Sequence, residues 1–169
     1  MFARRLTLGW IAGATSSTRR DHISPGQINV IAPEDPALGL VAVQVNTGQA
    51  GSYPGTVLKQ RMTPEFFVWT RNGANYAAAR HADGTLVGPA GLGSRPAQVG
   101  EEIELYASGF GPTNPPVSPA QRISQAVPLA GTPAVSIGGV STVVNTANLV
   151  EAGLYQLRVT IPPFPRATS

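Results

Sequence analysis

Short runs in which apolar and polar residues alternate recur along the chain, separated by clusters of Gly, Pro, Asn and Ser. In residues 39–45, Val41, Val43 and Val45 fall on one side and Ala42 and Gln44 on the other. That period predicts a half-buried antiparallel strand, stopped by Asn46-Thr47-Gly48. Residues 27–31 form a shorter β-prone run between a Ser24-Pro25-Gly26 turn and Pro33. Residues 56–62 alternate again, Val57, Lys59 and Arg61 against Leu58, Gln60 and Met62. The clearest strand is 100–108, with Ile103, Leu105 and Ala107 expected inward and Glu102, Glu104, Tyr106 and Ser108 outward. Residues 154–161 set Tyr155, Leu157, Val159 and Ile161 against Leu154, Gln156, Arg158 and Thr160.

The turns are equally legible. Gly138-Gly139 between two β-prone runs predicts a two-residue hairpin, and Asp83-Gly84 a tight turn. Residues 113–128 read as a long Pro-rich surface loop. The aromatic stretch Phe66-Phe67-Val68-Trp69 follows Pro64, which cannot donate to a central ladder. It is expected to cross between layers and plug a core with Phe67 and Trp69. No segment shows a period of 3.6, and strands recur about every ten residues. The pattern predicts an all-β protein, an antiparallel β-sandwich. Residues 1–22 read as a leader or tail, 23–70 as a partial first module and 71–169 as a second.

Composition sharpens this picture. Hydrophobic residues make up 42% and charged residues 12%, with 19 Gly and 16 Pro. That is too apolar for a disordered tail and too rich in turn formers for a helix bundle. No apolar run reaches about 18 residues, so no transmembrane helix is expected. The net charge is +3, but the basic residues cluster in Arg4, Arg5, Arg19 and Arg20 and are scattered singly from Arg61 onward. Such scatter cannot track a phosphate backbone, and no nucleic-acid partner is expected. The absence of cysteine removes disulfides, thiol nucleophiles and thiolate metal sites. Arg4 and Arg5 followed by an apolar stretch and Ala12-Gly13-Ala14 have parts of an export signal, though Thr7 and Gly9 dilute it. A first strand or frayed tail is the plainer reading of that segment.

Residues able to carry chemistry are few. The histidines are His22 and His81. His81 and Asp83, two apart, could converge on a metal ion or, with Ser108, on a hydroxyl nucleophile. The plainer reading has Asp83 shaping its turn and His81 solvated beside it. Glu102 and Glu104 lie about 7 Å apart on one strand face, within the spacing that glycosidase carboxylates use. With Glu101 they could form a calcium cluster, although a solubilising face is the commoner role for such residues. Otherwise no cofactor is expected. Among the aromatic residues, Tyr76 and Tyr106 are the best placed to stack on a sugar ring or a partner surface.

Several ordered segments carry a family resemblance: Ile23-Ser24-Pro25-Gly26-Gln27-Ile28-Asn29, Asn75-Tyr76-Ala77-Ala78-Ala79 with Asp83-Gly84-Thr85, and Pro96-Ala97-Gln98-Val99-Gly100. Further on come Leu105-Tyr106-Ala107-Ser108-Gly109-Phe110-Gly111-Pro112, Val135-Ser136-Ile137-Gly138-Gly139-Val140 and Gly153-Leu154-Tyr155-Gln156-Leu157-Arg158-Val159. From about Ile23 to Pro163 the chain resembles the uncharacterised C-terminal domain of many secreted Solibacter and other acidobacterial proteins. The resemblance implies tandem immunoglobulin-like sandwiches, a secreted or cell-surface setting and an accessory role, and it brings no catalytic residues. Arg19-Arg20-Asp21-His22 departs from that family's strand ending in an apolar-Tyr pair, and Ser169 falls where a further strand is expected. Incomplete ends would leave open strand edges, which favour homo-oligomers.

Three functions follow. The first is a non-catalytic extracellular module for adhesion, carbohydrate binding or scaffolding, with a polysaccharide or protein partner. The second is a small ester or lactone hydrolase, metal-dependent or not, using His81, Asp83 and Ser108. The third is an assembly domain that pairs through its strand edges.

Overall fold

The computed structural model describes residues 7–10, 20–24, 27–30, 37–46, 53–91, 93–118 and 121–165. Among them every regular element is a strand, as the alternation predicts. The N-terminal strands are β1 (Thr7–Trp10), β2 (Arg20–Ser24), β3 (Gln27–Val30), β4 (Gly39–Asn46) and β5 (Tyr53–Lys59). Short strands follow: β6 (Glu65–Phe66), β7 (Val68–Arg71), β8 (Ala74–Ala77), β9 (Ala79–His81), β10 (Leu86–Val87) and β11 (Ser94–Arg95). The rest of the chain gives β12 (Glu102–Ser108), β13 (Val127–Pro128), β14 (Val135–Ile137), β15 (Val140–Thr142), β16 (Val144–Glu151) and β17 (Leu154–Thr160). Arg4, Arg5, Arg19, Ala12-Gly13-Ala14, the Pro25-Gly26 turn and Thr47-Gly48 lie outside the described residues.

β1, β4 and β5 form an antiparallel sheet in that order, and β2 pairs antiparallel with β3. β5 begins at Tyr53 and stops at Lys59, three residues short of the alternating run, and Pro54 is accommodated at the sheet edge. In β4, Val41, Ala42, Val43 and Gln44 are all half-buried, so neither face alone forms a core. Leu40 pairs with Leu58, and both are exposed.

The largest sheet runs β11-β10-β9-β12-β17-β16-β13, antiparallel except for β10 against β11. β12 and β17 form its centre, and their alternation decides which side is buried. Ile103, Leu105 and Ala107 of β12 meet Val159, Leu157 and Tyr155 of β17. Ala79 of β9, Ile161 and Val135 of β14 complete the core cluster. Each buried Leu, Ile or Val here contributes roughly 1.5–3 kcal/mol. The β14–β15 hairpin turns at Gly138-Gly139 with Ile137 opposite Val140, the two-residue turn expected from sequence. It forms a second layer, because Val135 is buried in the core and Ile137 packs against it.

One edge of β12 is shared. Ile103 to Leu105 pair with β9, whereas Ala107 and Ser108 pair with β6. The two pieces meet at Ala78, whose N–H donates to Phe67 O at 2.6 Å and whose carbonyl accepts from Tyr106 N at 2.9 Å. The chain thus leaves the sheet at Phe67, runs out through the β7–β8 hairpin and returns at Ala78. Asn72 (φ 51°) and Gly73 (φ 76°) close that hairpin in the left-handed geometry that matches strand twist. This placement corrects the reading of the aromatic stretch as a crossing between layers. Phe66 points to the core beside Ala107, so its neighbour Phe67 points away and is 37% exposed. Trp69 is half-buried. Residues 63–67 are hydrogen-bonded to β12, across the position at residue 70 where sequence divides the chain.

Candidate functional site

The outward side of the largest sheet is polar because every second residue of β9, β12 and β17 is polar. Register then decides which side chains meet. Glu104 of β12 lies between Arg80 of β9 and Arg158 of β17, and Tyr106 lies beside Gln156. Arg158 donates to Glu104 Oε1 from Nε at 3.1 Å and from Nη2 at 2.8 Å. Glu104 Oε2 accepts from Gln156 Nε2 at 3.0 Å and from the Tyr106 hydroxyl at 3.2 Å. Gln156 also reaches the Tyr106 oxygen at 3.4 Å. The carboxylate is therefore saturated, and the network fixes the Tyr106 ring.

Beside Tyr106 lies a depression of about 370 Å³, lined by Trp69, Ala78, Ala79, Arg80, Leu86 and Tyr106. β7 carries Trp69 to this place, where the indole stacks on Tyr76 with centroids 5.0 Å apart and planes 32° apart. The buried Trp69 Nε1–H has no acceptor among the described residues. Trp69 reaches this close because Gly88 has no side chain: a Cβ there would sit 2.5 Å from Trp69 Cζ2. Arg71, two residues along the same strand, donates to Gly91 O at 3.1 Å and to Ser94 Oγ at 3.2 Å, which ties the hairpin back to β11. Two aromatic walls beside amide and charged groups can stack on the apolar face of a ring and hydrogen-bond its hydroxyls.

His81 is elsewhere. It is 1% exposed, so the expectation of a solvated histidine is corrected. Its Nδ1 lies 2.7 Å from Glu101 Oε1, and its Nε2 lies 3.0 Å from the Arg95 carbonyl oxygen. Both ring nitrogens thus face oxygen acceptors, and neither meets a serine hydroxyl. Arg95 Nη2 donates to Glu101 Oε1 at 2.8 Å, and Gln98 N–H donates to Oε2 at 2.9 Å. The Arg95 guanidinium, with that amide, pulls the Glu101 carboxyl down to about 2. Asp83 accepts from Thr85 N at 2.8 Å, and Thr85 holds its carboxyl below the ordinary value. Asp83 therefore shapes its turn, as the plainer reading had it, with Arg95 Nη2 3.9 Å away.

Ser108 is not brought to His81. Ile103 is the β12 partner of His81, and Ser108 lies five residues beyond it, about 16 Å along the strand and on the opposite face. The acidic trio also disperses: Glu101 binds Arg95 and His81, Glu102 accepts from Asn145 at 2.6 Å, and Glu104 binds Arg158. Among the described residues no group of three or more His, Asp or Glu is placed to hold a metal ion. Tyr76 and Tyr106 do not form one row: Tyr106 lines the outer depression, and Tyr76 lines a cavity on the inner side.

No protein-family model, curated protein or solved structure matches the chain. Among the described residues no helix is long and apolar enough to cross a membrane. The site residues that sequence reasoning missed are Trp69, Arg80, Gln156 and Arg158. Alternation alone placed Gln156 and Arg158 on the outer face. Which residues they meet depends on register between strands about fifty residues apart, which no local pattern encodes.

Proposed function

We propose that this chain is a non-catalytic extracellular module, an immunoglobulin-like β-sandwich, whose outer sheet face binds a carbohydrate. The observation that carries this reading is the Tyr106 ring, fixed by Glu104 and Gln156 at the mouth of a depression whose other aromatic wall is Trp69. Neutral sugars present apolar C–H faces to such rings, and the Arg80 guanidinium in the lining adds donors for their hydroxyls. The extracellular setting is supported by the family resemblance of the 23–163 region. The separation of Ser108 from His81, whose ring nitrogens both face oxygen acceptors already, favours this reading over a hydrolase.

A glycan array followed by calorimetry on the best neutral oligosaccharide tests it. Tyr106→Ala should weaken binding at least tenfold while leaving the far-ultraviolet circular dichroism unchanged. A full array without a saturable ligand, or a ligand indifferent to Tyr106→Ala, would count against it.

A further inference from the structure

A second cavity, of about 450 Å³, lies on the opposite side of the sheet, between its inner face and the β14–β15 hairpin. Ile103, Leu105 and Ile161 present the sheet side, Val135 and Ile137 the hairpin side, and Phe164 closes one flank. The size falls within the range of small-molecule sites, and the walls are predominantly apolar. None of the lining residues carries a charge at neutral pH. Two of them bear hydroxyls, Tyr76 and Ser136, and Ser136 lies on the exposed position of its strand. Tyr76, half-buried, is therefore the lining side chain best placed to offer a hydroxyl.

Phe164 has the position of a door. It is 45% exposed, and its ring rests on the hairpin turn, where a Cβ on Gly138 would come within 2.8 Å of Phe164 Cε1. Pro162, Pro163 and Pro165 stiffen the segment that carries it. The bare Gly138 lets the ring lie close against the turn at this flank.

We propose that this cavity binds a small, uncharged, hydrocarbon-rich molecule bearing a single hydroxyl or carbonyl, which hydrogen-bonds to Tyr76. An ionised head group would be buried without a counter-charge, so a carboxylate or amine of the same chain length is rejected. Tyr106 and the lining residues Ile103 and Leu105 point to opposite sides of β12, so the two spaces open on different faces, although Trp69 of the outer depression stacks on Tyr76 and Ala79 lines both.

The test uses the whole chain and the neutral fluorophore N-phenyl-1-naphthylamine. Saturable binding at one equivalent is expected, with displacement by 1-decanol and at least tenfold weaker displacement by decanoate. Ala97→Phe, which fills the cavity, should lower the fluorophore's affinity at least tenfold, and Tyr106→Ala should leave it unchanged. Methyl NMR of the unmodified protein gives a second readout: decanol should shift Ile103, Leu105 and Ile137. Absence of those shifts, equal competition by decanoate, or shifts that track protein concentration alone would overturn the proposal, the last by showing that a second copy covers the cavity.

Discussion

Trp69 and Gly109 show how single residues set this structure's tolerances. The Trp69 indole N–H is buried without an acceptor among the described residues, which costs stability in proportion to its lost hydration. Trp69→Phe deletes that donor and keeps an aromatic ring over Gly88. The lost packing volume and the relieved donor oppose each other, so the unfolding free energy should change by less than about 1 kcal/mol. Urea denaturation reads this, and the same variant should bind the carbohydrate ligand more weakly than the parent does. Gly109 is the opposite case. It has φ 73° and ends β12, and an added Cβ would collide with the Thr63 carbonyl that faces it. That carbonyl belongs to backbone already fixed, because Thr63 N–H donates to Gly109 O at 3.0 Å. Gly109→Ala adds left-handed strain to a backbone clash and should cost about 2–4 kcal/mol. A loss below about 1 kcal/mol in thermal or urea unfolding would show that the 63–67 segment is not held against β12.

At the scale of elements, local signals and register divide the work. Strict alternation located β12 and β17 and the side each buries, since a period of two depends only on the strand itself. Gly138-Gly139 located the β14–β15 turn because positive φ at both positions (58° and 80°) is cheap only for glycine. Asn72-Gly73 carries the same kind of signal and closes the β7–β8 hairpin, yet Pro64 and the run of aromatics suggested a layer crossing instead. Sharing of the β12 edge between β6 and β9 was not legible. It depends on Phe67 and Ala78 hydrogen-bonding across an excursion of ten residues, and nothing in either local sequence states that partnership. The candidate site inherits this limit. Tyr106 was legible as an outward aromatic, whereas Trp69 enters the site only because the excursion folds back over Gly88. His81 failed for a related reason: an Asp-Gly turn nearby suggested solvent, but Glu101 arrives from twenty residues away to bury it.

For the whole molecule, the Glu101, Arg95 and His81 cluster joins three parts of the chain at one end of the largest sheet, which predicts that it sets the acid stability. His81 belongs to β9, Arg95 to β11, and Glu101 immediately precedes β12. In the folded protein the Glu101 carboxyl is held at about 2, against an ordinary value of 4.5, chiefly by its hydrogen bond from Arg95 and then by the Gln98 amide. A carboxyl depressed on folding contributes stability that is fully present above its unfolded pKa and is lost as pH falls through the folded one. The window therefore runs from about 4.5 down to about 2. Asp83 shifts in the same direction but is exposed, so its share is screened. Urea midpoints measured at intervals across that window should fall steadily on acidification. Glu101→Gln keeps the shape but removes the charge that Arg95 and His81 share, and should cost about 1–3 kcal/mol at neutral pH. The decisive result is the slope. In the variant the stability loss between pH 4.5 and 2 should be much smaller than in the parent. An unchanged slope would mean that other carboxylates set the acid limit and that the cluster contributes geometry alone.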